Sequence, residues 1–201
     1  VTHPMTLLAG RLHCLRHALH VGGAPRRGMS RSLLPPSPCT FEGELAQRTL
    51  IVFKPDTLQR ALLGEVIQRF ERRGLKVVAL KMLWPSLELA EEHYAEHRER
   101  HFFSRACGFI SSGPVVASVW EGRGAIVTVR GMVGATEPLE SPPGTVRGDY
   151  GVHWRRNLIH SSASPEEAAR EVALWFRPDE LVPWEQSTAR WLYELPPPDR
   201  V

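Results

Sequence analysis

Acidic residues are missing from the first fifth of this 201-residue chain, since none precedes Glu42. Five arginines do precede it: Arg11, Arg16, Arg26, Arg27 and Arg31. The formal charge of +3 therefore divides into +5 before residue 42 and −2 after it, where 20 basic residues face 22 acidic ones. A nearly neutral body argues against a broad nucleic-acid surface, and no sequence-specific nucleic-acid partner is expected. Cysteine is scarce: Cys14, Cys39 and Cys107 are odd in number and widely spaced, which excludes a disulfide framework and a C-x-x-C metal site. No apolar run approaches the ~18 residues of a membrane span. Neither G-x-x-x-x-G-K-[ST] nor G-x-G-x-x-G occurs, so any nucleotide must be held without a glycine-rich cradle. Lysine is rarer still, with only Lys54, Lys76 and Lys81 among the 25 basic residues.

The acid-free segment places Leu7, Leu8, Leu12, Leu15 and Leu19 among Arg11, His13, Arg16 and His17, the pattern of an amphipathic basic helix. Glycine, serine and proline follow it, at Gly22, Gly23, Pro25, Ser30, Ser32, Pro35, Pro36 and Pro38. Such residues build no core. Arg-rich, Ser-bearing and acid-poor composition is that of a mitochondrial transit peptide. Residues 1–46 are thus expected to form a targeting extension and residues 195–201 a Pro-rich tail. The alternative is a disordered extension without an address, on a cytoplasmic protein.

The body, residues 47–194, interleaves strand and helix signals. Thr49 to Phe53 is a short apolar, β-branched run stopped at Pro55, which predicts a buried strand. Leu63, Val66, Ile67 and Phe70 recur at helical spacing, with Gly74 as the stop. A second strand is expected over 75–83, a helix capped by Ser86 over 87–97, a third strand over 115–120 and a weak helix over 124–133. The stretch from Gly134 to Tyr150 carries Pro138, Pro142, Pro143, Gly144 and Gly148 without periodicity, which predicts a long functional loop. Residues 151–154 are expected as a short edge strand. Ser164-Pro165-Glu166-Glu167 has the form of a capping box that opens a helix to Phe176. This alternation predicts a four-stranded sandwich of sheet and helices.

Three features carry chemistry. Lys54 directly follows a buried strand, where an ammonium can meet a phosphate. Glu171 shares a helical face with Ala168, Val172 and Trp175, and a buried carboxylate needs a partner. Either His160 or an arginine could supply it. If His160 does, a carboxylate on Nδ1 would leave Nε2 free as nucleophile or base. Arg130 and Arg147 would hold phosphates through their side chains. His93-Tyr94-Ala95-Glu96-His97 also matches the H-x-x-E-H zinc pattern, with His101 beyond it, but a five-residue pattern is cheap and reads better as a polar helix face.

Lys54-Pro55-Asp56, Arg147-Gly148-Asp149 and Asn157-Leu158-Ile159-His160 stand in order with Glu92-His93-Tyr94, Ser112-Gly113-Pro114-Val115-Val116 and Trp191-Leu192-Tyr193-Glu194. On these motifs the body resembles the nucleoside diphosphate kinase family. The resemblance implies an α+β, ferredoxin-like βαββαβ sandwich with a four-stranded antiparallel sheet, assembled as a homo-hexamer. It implies ping-pong transfer of a γ-phosphate between nucleotides, with Mg²⁺ carried on the phosphates. His160 would be phosphorylated on Nδ1 and Glu171 would orient its ring, which reverses the nitrogen assignment above. Lys54, Arg130, Thr136, Arg147 and Asn157 match positions that contact phosphate and ribose, Tyr94 lies beside them, and Phe102 and Trp154 match the base clamp.

The chain departs from the family pattern at several points. Ser161-Ser162-Ala163 stands where Gly-Ser-Asp is usual, Thr57 where a Gly follows Lys-Pro-Asp, Val127 and Val129 where a Lys and a Gly precede Arg130, and His101 where a Pro precedes Phe102. Activity, reduced in degree, is the expectation. The alternative is a catalytically weakened hexameric scaffold or membrane-linking paralogue, associated with membranes through its basic N-terminus.

Overall fold

The first strand, β1 (Arg48–Phe53), is buried on both faces from Thr49 onward, as its uninterrupted apolar run requires. The computed structural model describes residues 47–193. The expected targeting segment, Cys14, Cys39 and the 195–201 tail lie outside the described residues. After β1 come the short helix α1 (Pro55–Gln59), α2 (Leu63–Arg72) and strand β2 (Lys76–Leu83). Helices α3 (Leu87–His93) and α4 (Phe103–Ile110) lead to strand β3 (Val115–Glu121). Helix α5 (Ala125–Val133), helix α6 (Val146–Tyr150), strand β4 (Ile159–Ser161), helix α7 (Pro165–Trp175) and the short α8 (Ala189–Leu192) complete the order.

The four strands form one sheet in the order β2-β3-β1-β4, and every pairing is antiparallel. Without the inserted α3 and α4 and the terminal α7 and α8 the order is βαββαβ, so the fold is α+β with the topology expected from the resemblance. Successive residues of β1 serve opposite faces. Ile51 and Phe53 pack with Val66 and Phe70 of α2 and Val129 and Val133 of α5. Leu50 and Val52 pack with Ala90 of α3, Ile110 of α4 and Trp175 of α7.

The structure corrects three local expectations and adds one helix for which there was none. Residues 151–154 form no edge strand: Val152 is exposed and His153 makes only an isolated bridge to Arg156. The edge strand beside β1 is β4, where Ile159 pairs with Phe53 and His160 with Val52. The helix capped by Ser86 ends at His93, because Tyr94 leaves helical geometry and only a 3₁₀ turn, Ala95–His97, follows. The loop 134–150 contains a 3₁₀ turn (Pro138–Glu140) and α6, each begun by a side-chain cap rather than by hydrophobic periodicity. Helix α4 gave no sequence signal, since Phe102 at its N-cap offers no capping side chain and Gly108 lies inside it.

Candidate functional site

The carboxyl end of β1 and the residues entering β4 meet at one point. The Lys54 backbone N–H donates to Leu158 O at 2.8 Å, and Lys54 Nζ donates to Asn157 Oδ1 at 2.8 Å. Asn157 in turn donates from Nδ2 to Thr136 O at 3.0 Å, which ties in the start of the long loop. Burial, reinforced by the charge of Arg147 and only partly offset by Asp56, pulls the Lys54 ammonium down to about 7. A cation held against its own desolvation gains most from an arriving anion.

His160 projects from β4 toward α7. Its Nε2 lies 2.9 Å from Glu171 Oε1, and Ser162 Oγ donates to Glu171 Oε2 at 2.6 Å. Ser162 Oγ also accepts from the Leu50 N–H, so the carboxylate is anchored to the central strand through one hydroxyl. Glu171 is buried, and burial raises its carboxyl group above the ordinary range. With a proton on Nε2 facing Glu171, Nδ1 carries the lone pair. The carboxylate is thus on Nε2, not on Nδ1 as residue types alone suggested. Burial and the charges of Lys54, Arg147, Arg130 and Arg170 hold the His160 imidazole well below its usual value, so the ring is neutral near pH 7.

Arg147 is 5% exposed and grips the backbone on both sides of Leu158. Its Nε donates to Asn157 O (3.1 Å) and Nη2 to Ile159 O (2.6 Å), while Nη1 reaches Gly134 O and Ala135 O. Four of its five N–H groups are thereby committed, and one remains for a ligand. Burial, together with the charge of Arg130, holds this guanidinium at about 10. The neighbouring Gly148 is dictated by space: a Cβ there would stand 2.2 Å from Pro142 O.

A cavity of about 870 Å³ gathers Lys54, Tyr94, Phe102, Arg130, Thr136, Arg147, Trp154, Asn157 and His160 on its wall. Every expected site residue except Glu171 lines it, and Glu171 stands behind His160. Sequence reasoning missed Arg105, Phe109, Ser112, Arg155 and Arg156, which also line it. Arg155 lies over the Trp154 ring at 4.6 Å and Arg156 over Phe109 at 3.9 Å, stacking geometries that leave no periodic trace in sequence. Glu167 is the one acid on the wall, and its Oε2 accepts from the Ala163 N–H at 2.7 Å.

The zinc pattern does not act as a unit. His97 and His101 pack against Phe102, with centroids 5.4 and 5.7 Å apart. His93 instead turns inward, fully buried, and meets His160 edge to face at 4.3 Å. Its Nδ1 accepts from Trp175 Nε1 at 3.2 Å, which fixes that nitrogen as unprotonated, and burial holds the ring well below its usual value. Among the described residues His93, His160 and Glu171 are the donors close enough to share a metal ion. The Trp175 N–H and the His160–Glu171 bond already engage those donors. The signal for His93 was its place one turn after Ala90, on the apolar side of α3.

Residues 47–181 match the family described as Nucleoside diphosphate kinase. A nucleoside diphosphate kinase of Cyanothece sp. is 55% identical over 148 residues, covering 74% of this chain and 99% of the relative. That of Archaeoglobus fulgidus is 56% identical over 148 residues, with 74% and 98% covered. Nucleoside diphosphate kinase 3 of Homo sapiens is 53% identical over 159 residues, with 79% and 92% covered. Among solved structures, the halophilic nucleoside diphosphate kinase of Halobacterium salinarum in complex with CDP superposes with a TM-score of 0.72 at 47% identity, covering 74% of this chain and 99% of that one. A nucleoside diphosphate kinase family protein of Babesia bovis gives 0.71 at 50% identity, covering 73% and 99%.

Proposed function

The chain belongs to the nucleoside diphosphate kinase family and is a phosphotransferase acting on nucleotides; from that premise we propose that His160 carries the phosphoryl group between them. The observation that supports this most directly is the bond from His160 Nε2 to Glu171. It leaves Nδ1 as the nucleophilic nitrogen in a ring kept neutral by burial and by nearby cations.

In the first half-reaction Nδ1 attacks the γ-phosphorus of a nucleoside triphosphate, an N–P bond forms, and the bond to the β-phosphate oxygen breaks. The ring gains positive charge as it does so. Glu171, accepting from the Nε2–H, stabilises that charge and fixes the ring plane. In the second half-reaction a terminal phosphate oxygen of another nucleoside diphosphate attacks phosphorus and releases neutral His160. Lys54, Arg130 and the uncommitted N–H of Arg147 stabilise the negative charge on the equatorial oxygens. Asn157 and Thr136 meet the ribose and phosphates beside Tyr94, and Phe102 and Trp154 stack on the base without reading its edge, which fits broad nucleotide use.

Mg²⁺ fits this wall as an ion carried by the nucleotide, because the single lining carboxylate, Glu167, is held by the Ala163 N–H and no acidic cage is present among the described residues. When bound it neutralises charge on the terminal phosphates. The departures leave Lys54, Arg130, Arg147, Asn157 and His160 together on the cavity wall. Val129 is fully buried in the core, Val127 points outward, and Glu167 takes up the Ala163 N–H.

A hexameric assembly is supported by surface left uncovered. Strand β2 is a sheet edge, and Leu80, Met82 and Trp84 are 51%, 63% and 67% exposed along and just beyond it. Light scattering of the purified protein tests that assembly. Import into mitochondria, with membrane association of the basic extension, remains the proposal for location, with the cytoplasm as alternative. Fractionation of cells expressing the full chain tests it. The mechanism itself is tested by incubating protein with γ-labelled ATP: acid-labile, base-stable label on the protein is expected and is lost in His160→Ala. Label persisting in that variant overturns the assignment.

A further inference from the structure

Leu158 is fully buried and stands in the left-handed region, with φ at 71°, a conformation an L side chain rarely adopts. It sits between two residues assigned to the site, Asn157 before it and His160 two places after it. Its peptide groups are held from opposite sides. Arg147 takes the carbonyls of Asn157 and Ile159, while the first turn of α1 takes Leu158 itself. The Leu158 N–H donates to Asp56 Oδ2 at 3.0 Å, and its carbonyl accepts from the Lys54 N–H at 2.8 Å and from Thr57 Oγ1 at 2.5 Å.

Thr57 has no exposed surface, and its hydroxyl has no role in the phosphoryl-transfer scheme. It is also a departure, standing where the resembled family carries a residue without a side chain. We propose that Thr57 is a positioning residue: its hydroxyl locks the left-handed turn at Leu158 and so fixes Asn157 and His160 relative to Lys54. Relaxing Leu158 out of the left-handed region rotates its carbonyl, and the first group to lose that carbonyl is the Thr57 hydroxyl or the Lys54 N–H. Rotation would carry Asn157 Oδ1 away from Lys54 Nζ on one side and shift the entry to β4 on the other. Lys54, Thr57 and Leu158 therefore act as a clasp between the cation and the nucleophile. In a chain whose residues after His160 are Ser161 and Ala163, an added donor upstream supplies rigidity at the other end of the same segment.

The inference rests on His160 as phosphoryl carrier, so wild-type phosphohistidine formation is measured first, and its absence would overturn that reading. Rapid-quench phosphorylation and steady-state kinetics of full-length Thr57→Val, Thr57→Ala and Thr57→Ser then test the clasp. Val and Ala are expected to lower the single-turnover phosphorylation rate and kcat about five- to tenfold, with KM for the nucleoside diphosphate changed less than twofold. Ser, which keeps the hydroxyl, is expected to stay within twofold of wild type. If Val proves too strained to fold, Ala removes the donor without added bulk. The proposal is overturned if both donorless variants keep wild-type kcat while only thermal stability falls, or if Ser loses as much rate as Val in a folded protein.

Discussion

Replacing Lys54 by methionine should make the protein more stable while disabling it, and the size of the gain follows from the ammonium's surroundings. Burial and the charge of Arg147 bring Lys54 from an ordinary value of 10.5 to about 7. At about 1.4 kcal/mol per tenfold change, keeping that ammonium charged inside the fold costs about 5 kcal/mol. Methionine in turn leaves Asn157 Oδ1 without its donor, a loss of about 2–3 kcal/mol. A net gain of about 2 kcal/mol is expected at pH 6.5, or about 4–8 °C in Tm. The sign with pH is fixed by linkage. Below about 7 both folded and unfolded chains hold the proton, so the cost is present in full. As pH rises from about 7 toward 10.5 the folded Lys54 is neutral while the unfolded one is still charged, so wild type gains stability relative to the variant. The advantage of Lys54→Met should therefore vanish by about pH 9. Denaturant midpoints of both proteins at pH 6.5, 8 and 9, followed by tryptophan fluorescence, give the comparison. A variant less stable than wild type at pH 6.5, or an advantage unchanged at pH 9, refutes the reasoning.

Glu171→Ala leaves the Ser162 hydroxyl and the His160 Nε2–H without their acceptor, which should cost about 2 kcal/mol of stability and slow phosphohistidine formation about 100-fold. Calorimetry with rapid-quench labelling separates the two effects, and an unchanged rate would remove Glu171 from the mechanism. Gly148→Ala forces a Cβ against Pro142 O, so a loss of about 3 kcal/mol is expected, with a higher KM because Arg147 is displaced. Thermal melts and initial rates check it, and a variant with wild-type Tm contradicts the close approach.

Much of the frame was legible because its causes are local. The apolar run of β1, the 3.6-residue spacing of Leu63, Val66, Ile67 and Phe70, and the Ser164 cap each act within a few residues of the chain, and each produced its element where expected. The Ser164 cap still held a surprise, since Glu167 reaches Ala163 rather than completing the box. Elements without such local causes escaped: α4 has no capping side chain, and the turn and helix inside 134–150 depend on single hydroxyl and carboxylate caps.

The sequence by itself determined the chemistry available: a lysine after a buried strand, a histidine just ahead of a helix whose apolar face carries a carboxylate, and arginines in place of a glycine-rich cradle. Tertiary structure decided how those groups are used. Which imidazole nitrogen meets Glu171 depends on β4 pairing with β1 and α7 crossing behind it. The inward turn of His93 depends on Trp175, 82 residues away, and the hold on Leu158 depends on Thr57, 101 residues away. The reason is physical. Periodicity and caps record interactions between chain neighbours, whereas hydrogen-bond direction, burial and the resulting charge states exist only once the sheet register has brought distant residues together.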